Sequence, residues 1–251
     1  MKLEKENIIV ERSYKKVYKC EEGIVKVFEN NHPKSNVFNE ALNQVRAEET
    51  GLDVAKVISV SQVDGKWALL LEYKEGKTLA ELMKENPGKL EEYMEKFVDL
   101  QLEIHSKKAP LMNKLKDKLT RQINGLNVLD ATQKYELLTR LDGMPKHTKV
   151  CHGDFNPTNV IVAEDGTMTV VDWAHATQGN AGADAAMTYL LFALKDQNTA
   201  DLYLKLFCKK TDTAKQYVEK WLPIVAAAQL EKENALEKDF LMKWVDVCEY
   251  Q

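Results

Sequence analysis

Short apolar runs bounded by turn residues fill most of the first 75 positions of the chain. Such runs predict strands, whereas the spacing of Val37, Ala41 and Val45 is helical. Ser35 is the expected N-cap of this helix and Gly51 its expected stop. The pattern therefore predicts one helix at residues 36–50 and five strands at 8–10, 17–18, 24–28, 57–60 and 67–71, the last two joined by a turn at residues 64–65.

After Gly76 the apolar positions recur mostly at helical spacing. Leu90, Tyr93, Phe97, Leu100 and Ile104 predict one face of a long helix that ends near residue 105. Further helices are predicted at 185–194, 200–207 and 217–222, and the proline at 223 is expected to open another helix in its first turn. The exception is a hairpin predicted at 159–162 and 168–171. We therefore expect an α+β fold with a β-rich lobe at residues 1–74 and a mainly helical lobe at residues 75–251.

Composition and charge narrow the classes of function. The 251 residues include 35 Lys and Arg against 39 Asp and Glu, for a formal net charge of −4. This balance gives no electrostatic reason to expect a nucleic acid or an anionic membrane as partner. Residues 1–6 are too charged for a signal peptide, and no apolar run approaches the roughly 18 residues that span a bilayer. We expect a cytoplasmic monomer or weak homodimer without a nucleic-acid or membrane partner.

The residues best suited to chemistry lie between His152 and Asp172. Asp154 is followed five positions later by Asn159, and Asp172 comes at the end of the predicted hairpin. Kinases use an Asp at the acceptor hydroxyl, then an Asn and a second Asp for Mg²⁺, in this order and spacing. Each residue alone would be interpreted as a turn former or a strand end. Together they predict phosphoryl transfer, in which Asp154 accepts the hydroxyl proton or orients that hydroxyl.

Lys26 lies inside an apolar strand, where an unpartnered ammonium group would be costly. It is either an edge-strand charge or, at this position, a contact to the α- and β-phosphates of a nucleotide. Glu40 is the favoured ion-pair partner because helical periodicity puts it beside the apolar face of the first helix. Glu48 and Glu49 are competing partners.

With these residues the sequence resembles the aminoglycoside phosphotransferase and choline kinase-like superfamily, and residues 172–180 look like a bacterial small-molecule kinase subgroup. The resemblance covers about residues 8 to 195, including a connector that ends in Gly76 and a Leu-x-x-His helix end at Leu102–His105. It implies a two-lobed protein-kinase-like fold, ATP or GTP as donor with Mg²⁺, and a small-molecule hydroxyl as acceptor. It also implies a role for individual residues: Asp154 as catalytic base, Asn159 and Asp172 as metal ligands, Lys26 with Glu40 at the phosphates, backbone groups of Glu72, Tyr73 and Lys74 at the adenine, and His152 and Asp184 as structural supports.

One segment departs from the family pattern. The phosphate-covering loop, between Val10 and Val17, contains no glycine, although glycine normally lets the backbone approach phosphates closely. Ser13 is predicted to substitute with its hydroxyl and amide. Lys15 and Lys16 either add charge there or are solvated. This departure motivates an alternative function, a nucleotide-binding pseudokinase without turnover.

The acceptor is not identified by the sequence. Acids between residues 211 and 251 are interspersed with lysines, for example Glu219 with Lys215, which favours a solvated helical face over a pocket for a cationic amine. His175 either contacts the acceptor or, as we favour, has a structural role as a capping or packing histidine. A protein kinase is disfavoured, because only residues 173–184 separate Asp172 from the next predicted helix, too few for a substrate-docking segment.

Overall fold

The computed structural model of the protein describes residues 3–232 and 234–245. The chain folds into two compact units. The first runs to Glu85 and also takes in residues 157–175, and the second comprises residues 86–156 and the chain from Ala176 onward. The predicted hairpin therefore belongs to the same unit as the N-terminal strands, and the division into lobes at residues 74 and 75 stays a prediction.

Strands and helices are numbered in chain order. The strands are β1 Ile8–Glu11, β2 Lys15–Cys20, β3 Gly23–Phe28, β4 Val57–Val63, β5 Lys66–Leu71, β6 Lys77–Thr78, β7 Lys149–Cys151, β8 Val160–Val162, β9 Met168–Val170 and β10 Thr177–Gly179. The helices are α1 Lys34–Glu48, α2 Leu79–Glu85, α3 Leu90–Ser106, α4 Leu115–Gly125, α5 Ala131–Gly143, α6 Ala181–Ala193, α7 Gln197–Thr211, α8 Lys215–Glu219, α9 Leu222–Gln229 and α10 Ala235–Val245. None of the helices in the described part of the chain is long and apolar enough to cross a membrane.

The first unit is built on an antiparallel five-stranded sheet in the order β1-β2-β3-β5-β4, which confirms the five predicted strands. Alternating residues of β3 and β5 are buried on both faces of the sheet, and one face packs on α1 through Val37 and Ala41. Asp64 and Gly65 have φ of 49° and 75°, the left-handed conformations that a two-residue hairpin turn requires. The predicted hairpin is therefore confirmed.

The predicted N-cap of α1 is wrong. The helix begins at Lys34, with Pro33 in the cap position and no side-chain cap hydrogen bond, so Ser35 already lies inside the first turn. The fixed φ of proline, here −59°, is compatible with starting the helix one residue earlier than the serine. The helix ends at Glu48, and Gly51 follows with φ of 80°.

A second, three-stranded sheet of the first unit has the order β6-β8-β9 and confirms the predicted hairpin. Gly76, just before β6, has φ of 145°, and a Cβ there would collide with the carbonyl oxygen of Val162. After β9, the Trp173 indole donates a 3.0 Å hydrogen bond to the carbonyl of Val170. The hairpin thus ends in a fixed turn at Asp172.

The second unit is mainly helical. The buried face of α3 includes Met94, Val98 and Gln101 together with Phe97 and Ile104, whereas Leu90, Tyr93 and Leu100 are only partly buried. The predicted face is therefore partly wrong, because the neighbouring apolar stripe of Met94 and Val98 is buried instead of Tyr93 and Leu100. The buried Gln101 accepts a 2.6 Å hydrogen bond from Tyr203. Strands β7 and β10 pair antiparallel and were not predicted. Helix α9 opens with the proline at 223 in its first turn, as predicted.

Candidate functional site

The candidate residues fall in both compact units of the chain. In the first unit, Lys26 lies on the central strand β3 with only 6% of its surface exposed. Its Nζ donates to Glu40 Oε1 at 2.6 Å and to Asp172 Oδ1 at 2.8 Å. The structure thus pairs Lys26 with Glu40, the partner favoured from the sequence, and adds Asp172, which the sequence had not paired with it. The edge-strand interpretation of Lys26 is wrong, because β3 lies between β2 and β5.

The charges of this cluster stabilise one another. Burial by itself would lower the pKa of Lys26, but the carboxylates of Asp172 and Glu40 raise it above the ordinary lysine value. Burial would likewise raise the pKa of Asp172, but Lys26 and then Lys15 hold it well below the ordinary aspartate value. Since an ion of opposite sign within contact favours the charged form, Lys26 stays cationic and Asp172 anionic at neutral pH.

Asp172 occupies an unusual backbone conformation. Its φ is 64°, a left-handed value that is uncommon outside glycine and costs of order 1 kcal/mol or more. The turn that follows is held by α1, where Asn43 Nδ2 donates to the carbonyl of Ala174 at 3.2 Å. Strain of this kind concentrates at functional sites, so the conformation supports a functional interpretation of Asp172.

Lys15 is a member of this cluster that the sequence analysis left undecided. Its exposed fraction is 6%, and its Nζ lies 3.4 Å from Asp172 Oδ2. Lys16 instead pairs with Glu11 at 2.7 Å on the partly exposed side of the strand. The signal was present in the alternation of β2, since Lys15 shares a face with Val17 and Lys16 does not.

The glycine-free loop before β2 closes through its own backbone. Arg12 N–H donates to the carbonyl of Lys15 at 2.9 Å, and the carbonyl of Tyr14 accepts from Glu29 N–H at 2.9 Å. Ser13, the predicted phosphate contact, is exposed in this loop. Its role stays a prediction.

Asn159 ends the 3-10 turn Pro157–Asn159, and its carbonyl accepts a 2.9 Å hydrogen bond from Val171 N–H. The hairpin therefore brings the backbone of Asn159 beside the residue that precedes Asp172. One carboxylate and one amide oxygen suit Mg²⁺, which usually takes one or two carboxylates and leaves other positions to water and substrate phosphates. No group of three or more His, Cys, Asp or Glu in the described part of the chain is arranged to hold a metal. These residues fit a site that nucleotide phosphates complete.

The side chains of the predicted adenine-binding segment are engaged within the first unit. Glu72 Oε2 accepts from Lys56 N–H at 3.2 Å, and Lys74 Nζ pairs with Asp53 at 2.9 Å. Lys19 Nζ lies 3.9 Å from the ring centroid of Tyr73. These side chains hold the segment in place, which suits a contact made through the backbone.

In the second unit, Asp184 in the first turn of α6 holds the loop that carries Asp154. Its Oδ1 accepts from Gly153 N–H at 2.7 Å, and its Oδ2 accepts from His152 N–H at 3.3 Å. His105 Nε2 lies 2.9 Å from the same Oδ2. Burial would raise the pKa of Asp184, but His105 and the backbone of Gly153 lower it. His105, at the end of the Leu-x-x-His segment, therefore interacts with the loop indirectly, through the carboxylate of Asp184.

Comparison with known proteins identifies the family of the chain. The model of a family described as "Phosphotransferase enzyme family" matches residues 14–217. The chain belongs to this phosphotransferase family.

Solved structures share the fold of this chain. A thermostable mutant of aminoglycoside phosphotransferase APH(4)-Ia superposes with a TM-score of 0.71 at 12% identity, covering 96% of this chain and 92% of that one. Choline kinase LicA from Streptococcus pneumoniae gives 0.66 at 14% identity, covering 96% and 91%. Aminoglycoside-3'-phosphotransferase of type VIII gives 0.63 at 17% identity, covering 88% and 92%. No curated protein sequence matches the chain. The family resemblance and the predicted α+β, protein-kinase-like fold are confirmed.

Two lysines of the second unit interact with Asp154 and were missed from the sequence. Lys232 Nζ lies 3.6 Å from Asp154 Oδ1, and Lys118 is close enough to both for their charges to affect its pKa. Neither belongs to a motif, and both are separated from Asp154 by long stretches of sequence, so no local pattern marks them.

Some of the acids near the C-terminus are exposed, as predicted for a solvated face, whereas Glu237 is only partly exposed. Asp212, Glu231 and Asp239 are exposed, and Lys215 pairs with Glu219 at 3.2 Å. Three further acids of the predicted solvated face, Glu233, Asp246 and Glu249, lie outside the described residues.

Proposed function

We propose that this chain is a small-molecule kinase that transfers the γ-phosphate of Mg-ATP to a hydroxyl group. The observation that carries the proposal is the cluster of buried Lys26 and Glu40 with partly exposed Asp172, with Nζ–O distances of 2.6 and 2.8 Å. An ion pair of this kind, with a metal-binding Asp, is the donor-side machinery of protein-kinase-like enzymes. Family membership and the fold support the same reaction.

In the proposed reaction each residue has a distinct role. Lys26 holds the α- and β-phosphates, Glu40 positions Lys26, and Lys15 adds positive charge on the same face of the sheet. Asn159 and Asp172 would hold Mg²⁺, which when bound offsets the negative charge of the phosphates. Ser13 and the backbone of residues 72–74 complete the proposed nucleotide contacts.

On the acceptor side, Asp154 is the proposed catalytic base. As the acceptor oxygen forms its bond to the γ-phosphorus, the bond between that phosphorus and the β,γ-bridging oxygen breaks, and ADP leaves. The hydroxyl proton passes to Asp154. Asp184 acts through the backbone of the loop that carries Asp154 and is therefore a positioning residue.

The nucleotide and the acceptor class are supported by solved structures of the same fold. A variant of APH(4)-Ia is described as a ternary complex with ADP and hygromycin B, and LicA is described in complex with AMP. We accordingly favour ATP over GTP and a small-molecule acceptor over a macromolecule. A cytoplasmic monomer or weak homodimer, without a nucleic-acid or membrane partner, is part of the proposal.

A pseudokinase that binds nucleotide without turnover is the second candidate, favoured only by the glycine-free loop at residues 11–16. The deciding experiment measures ADP release with Mg-ATP or Mg-GTP and a library of alcohols, sugars, nucleosides, amino alcohols and aminoglycosides. We expect turnover with one class, and a loss of about 10²- to 10⁴-fold in kcat in Asp154→Asn. The matched control is Asp239→Asn, an exposed aspartate of the same unit.

Nucleotide binding is measured separately by thermal melting. Mg-ATP should raise the melting temperature of the wild type, and Asp172→Asn should lose the Mg²⁺-dependent part of that rise. If no acceptor, including fractionated cell extract, supports turnover and Asp154→Asn leaves a residual ATPase rate unchanged, the kinase proposal is wrong. Stabilisation by nucleotide without turnover would then favour the pseudokinase.

A further inference from the structure

Three stacked aromatic rings lie at the glycine-free loop of the first unit. The ring centroids of Tyr14 and His32 are 5.3 Å apart, with an interplanar angle of 21°. His32 also stacks on Phe28, at 5.1 Å and 20°. Tyr14 is partly exposed in the loop, whereas Phe28 is buried at the end of β3. His32 therefore connects the exposed loop to the buried end of a central strand.

The segment that carries His32 is also joined to the loop by its backbone. Glu29 N–H donates to the carbonyl of Tyr14 at 2.9 Å, and His32 N–H donates to the carbonyl of Glu29 at 2.9 Å. The carboxylate of Glu29 pairs with Lys66, the first residue of β5. The turn from Glu29 to His32 is thus fixed to the sheet, and it holds the imidazole against the Tyr14 ring.

The tip of the loop consists of Ser13 and Tyr14. Arg12 N–H donates to the carbonyl of Lys15 at 2.9 Å, which closes the turn around these two residues. None of residues 11–16, all of which the structure describes, has a positive φ. The backbone of this turn therefore does not use the left-handed conformations that glycine permits. A side chain at the tip, which glycine would lack, can hold the loop in place.

We infer that His32 is a positioning residue for binding of the nucleotide phosphates, because it holds the tip of the phosphate-covering loop through its contact with Tyr14. This inference rests on the proposed function, in which Ser13 and Lys15 contribute to the nucleotide site. It assigns a role to two aromatic residues that no motif marks, and it explains how a loop without glycine takes part in binding.

Both chain neighbours of Tyr14 belong to the proposed nucleotide site. Ser13 offers a hydroxyl and an amide, and Lys15 Nζ lies 3.4 Å from Asp172 Oδ2. Lys15 Nζ also lies 5.7 Å from the centroid of the Tyr14 ring, within the range of a cation–π contact. A loop that is already ordered loses less conformational freedom when nucleotide binds. The ring stack therefore increases affinity by preorganising the loop.

The imidazole of His32 is neutral at pH 7. Burial lowers its pKa below the ordinary histidine value, Glu40 opposes this change, and Lys15 adds to it. A phenylalanine at this position would keep an aromatic ring for stacking without changing the charge. The substitution His32→Phe therefore separates a role of the ring stack from a role of the imidazole nitrogens.

The test measures two quantities on variants of the full chain. Calorimetry gives the dissociation constant of a non-hydrolysable ATP analogue with Mg²⁺, and ADP release with water as acceptor gives kcat and the KM for ATP. The variants are His32→Ala, His32→Phe, Tyr14→Ala and the double variant His32→Ala/Tyr14→Ala. Phe38→Ala is the matched control, because Phe38 makes a ring contact with Trp67 at 5.2 Å at a partly exposed position on α1 of the same unit.

We expect His32→Ala to raise the dissociation constant and the KM for ATP by about 5- to 50-fold, since two ring stacks are lost. Its kcat should change by less than about 3-fold, because the stack acts on binding and not on the chemical step. His32→Phe should recover most of the affinity. The double variant should bind no more than about 3-fold more weakly than His32→Ala, because both residues act through one contact. Phe38→Ala should bind like the wild type, and circular dichroism verifies that each variant is folded.

Wild-type affinity in His32→Ala would overturn the inference and leave the proposed kinase function standing. So would a loss of affinity that His32→Phe shares in full, since the stack would then not be the cause. Losses in the two single variants that multiply in the double variant would also overturn it. Absence of nucleotide binding to the wild type would refute both the inference and the proposed function. Binding without ADP release would count against turnover alone, and the calorimetric comparison would still decide the role of His32.

Discussion

Removing Lys26 should leave two carboxylates facing each other inside the first unit. In the wild type, the Nζ of Lys26 lies 2.6 Å from Glu40 and 2.8 Å from Asp172, and the side chains of Lys26 and Glu40 are less than a tenth exposed. Lys26→Met keeps most of the side-chain volume and removes only the charge and the hydrogen bonds. The variant therefore tests the electrostatic role of the lysine rather than its packing.

The magnitude follows from these distances. At an effective dielectric constant of about 20, each contact is worth about 6 kcal/mol of Coulomb energy, and the desolvation of the three groups opposes most of it. Breaking a buried pair by removing one partner typically costs about 3–5 kcal/mol, because the remaining charge is uncompensated. Lys15 still contacts Asp172 at 3.4 Å, so most of the destabilisation comes from the uncompensated charge of Glu40. We expect a decrease of about 3–5 kcal/mol in the free energy of unfolding.

The assay is urea denaturation followed by far-UV circular dichroism, supported by thermal melting, where the same loss is about 6–20 °C. Lys66→Met is the matched control, because Lys66 begins another strand of the same sheet and pairs with Glu29 at a more exposed position. A surface pair contributes about 0–1 kcal/mol. The double variant Lys26→Met/Glu40→Gln removes the uncompensated charge and should recover more than half of the lost stability.

Two results would refute this reasoning. A loss in Lys26→Met no larger than in Lys66→Met would mean that the buried pairs contribute no more than a surface pair. A double variant as unstable as Lys26→Met would mean that the cost comes from packing and not from the unpaired carboxylate.

Two further predictions concern other parts of the chain. Asp184→Asn should lower kcat by at least about 10-fold and the free energy of unfolding by about 2–3 kcal/mol, because a charged acceptor of two backbone N–H groups is lost. A variant with the kcat and the urea denaturation of the wild type would contradict this prediction. Gly76→Ala should destabilise the protein by more than about 2 kcal/mol in the same denaturation assay, since its Cβ would collide with backbone, whereas Gly65→Ala, with open space around it, should lose only about 1 kcal/mol.

Much of the fold could be predicted from sequence because its signals are local. The five strands of the first sheet and the hairpin before Asp172 follow from apolar runs and turn residues. The short pair β7 and β10 could not be predicted, because three-residue strands joined across a long stretch of chain carry no local pattern. The burial of Gln101 on α3 could not be predicted for a related reason, since it depends on hydrogen bonds that only tertiary contacts supply.

The sequence by itself was enough to propose the chemistry of the block from Asp154 through Asn159 to Asp172, because these residues lie close together along the chain in a fixed spacing. Only the tertiary structure decided which charges meet. It brought Lys15 and Lys26 to Asp172 from separate strands, and Lys232 to within 3.6 Å of Asp154. Contacts between distant segments depend on how strands and helices pack. The positions of charged residues along the sequence have no periodicity that would reveal this packing.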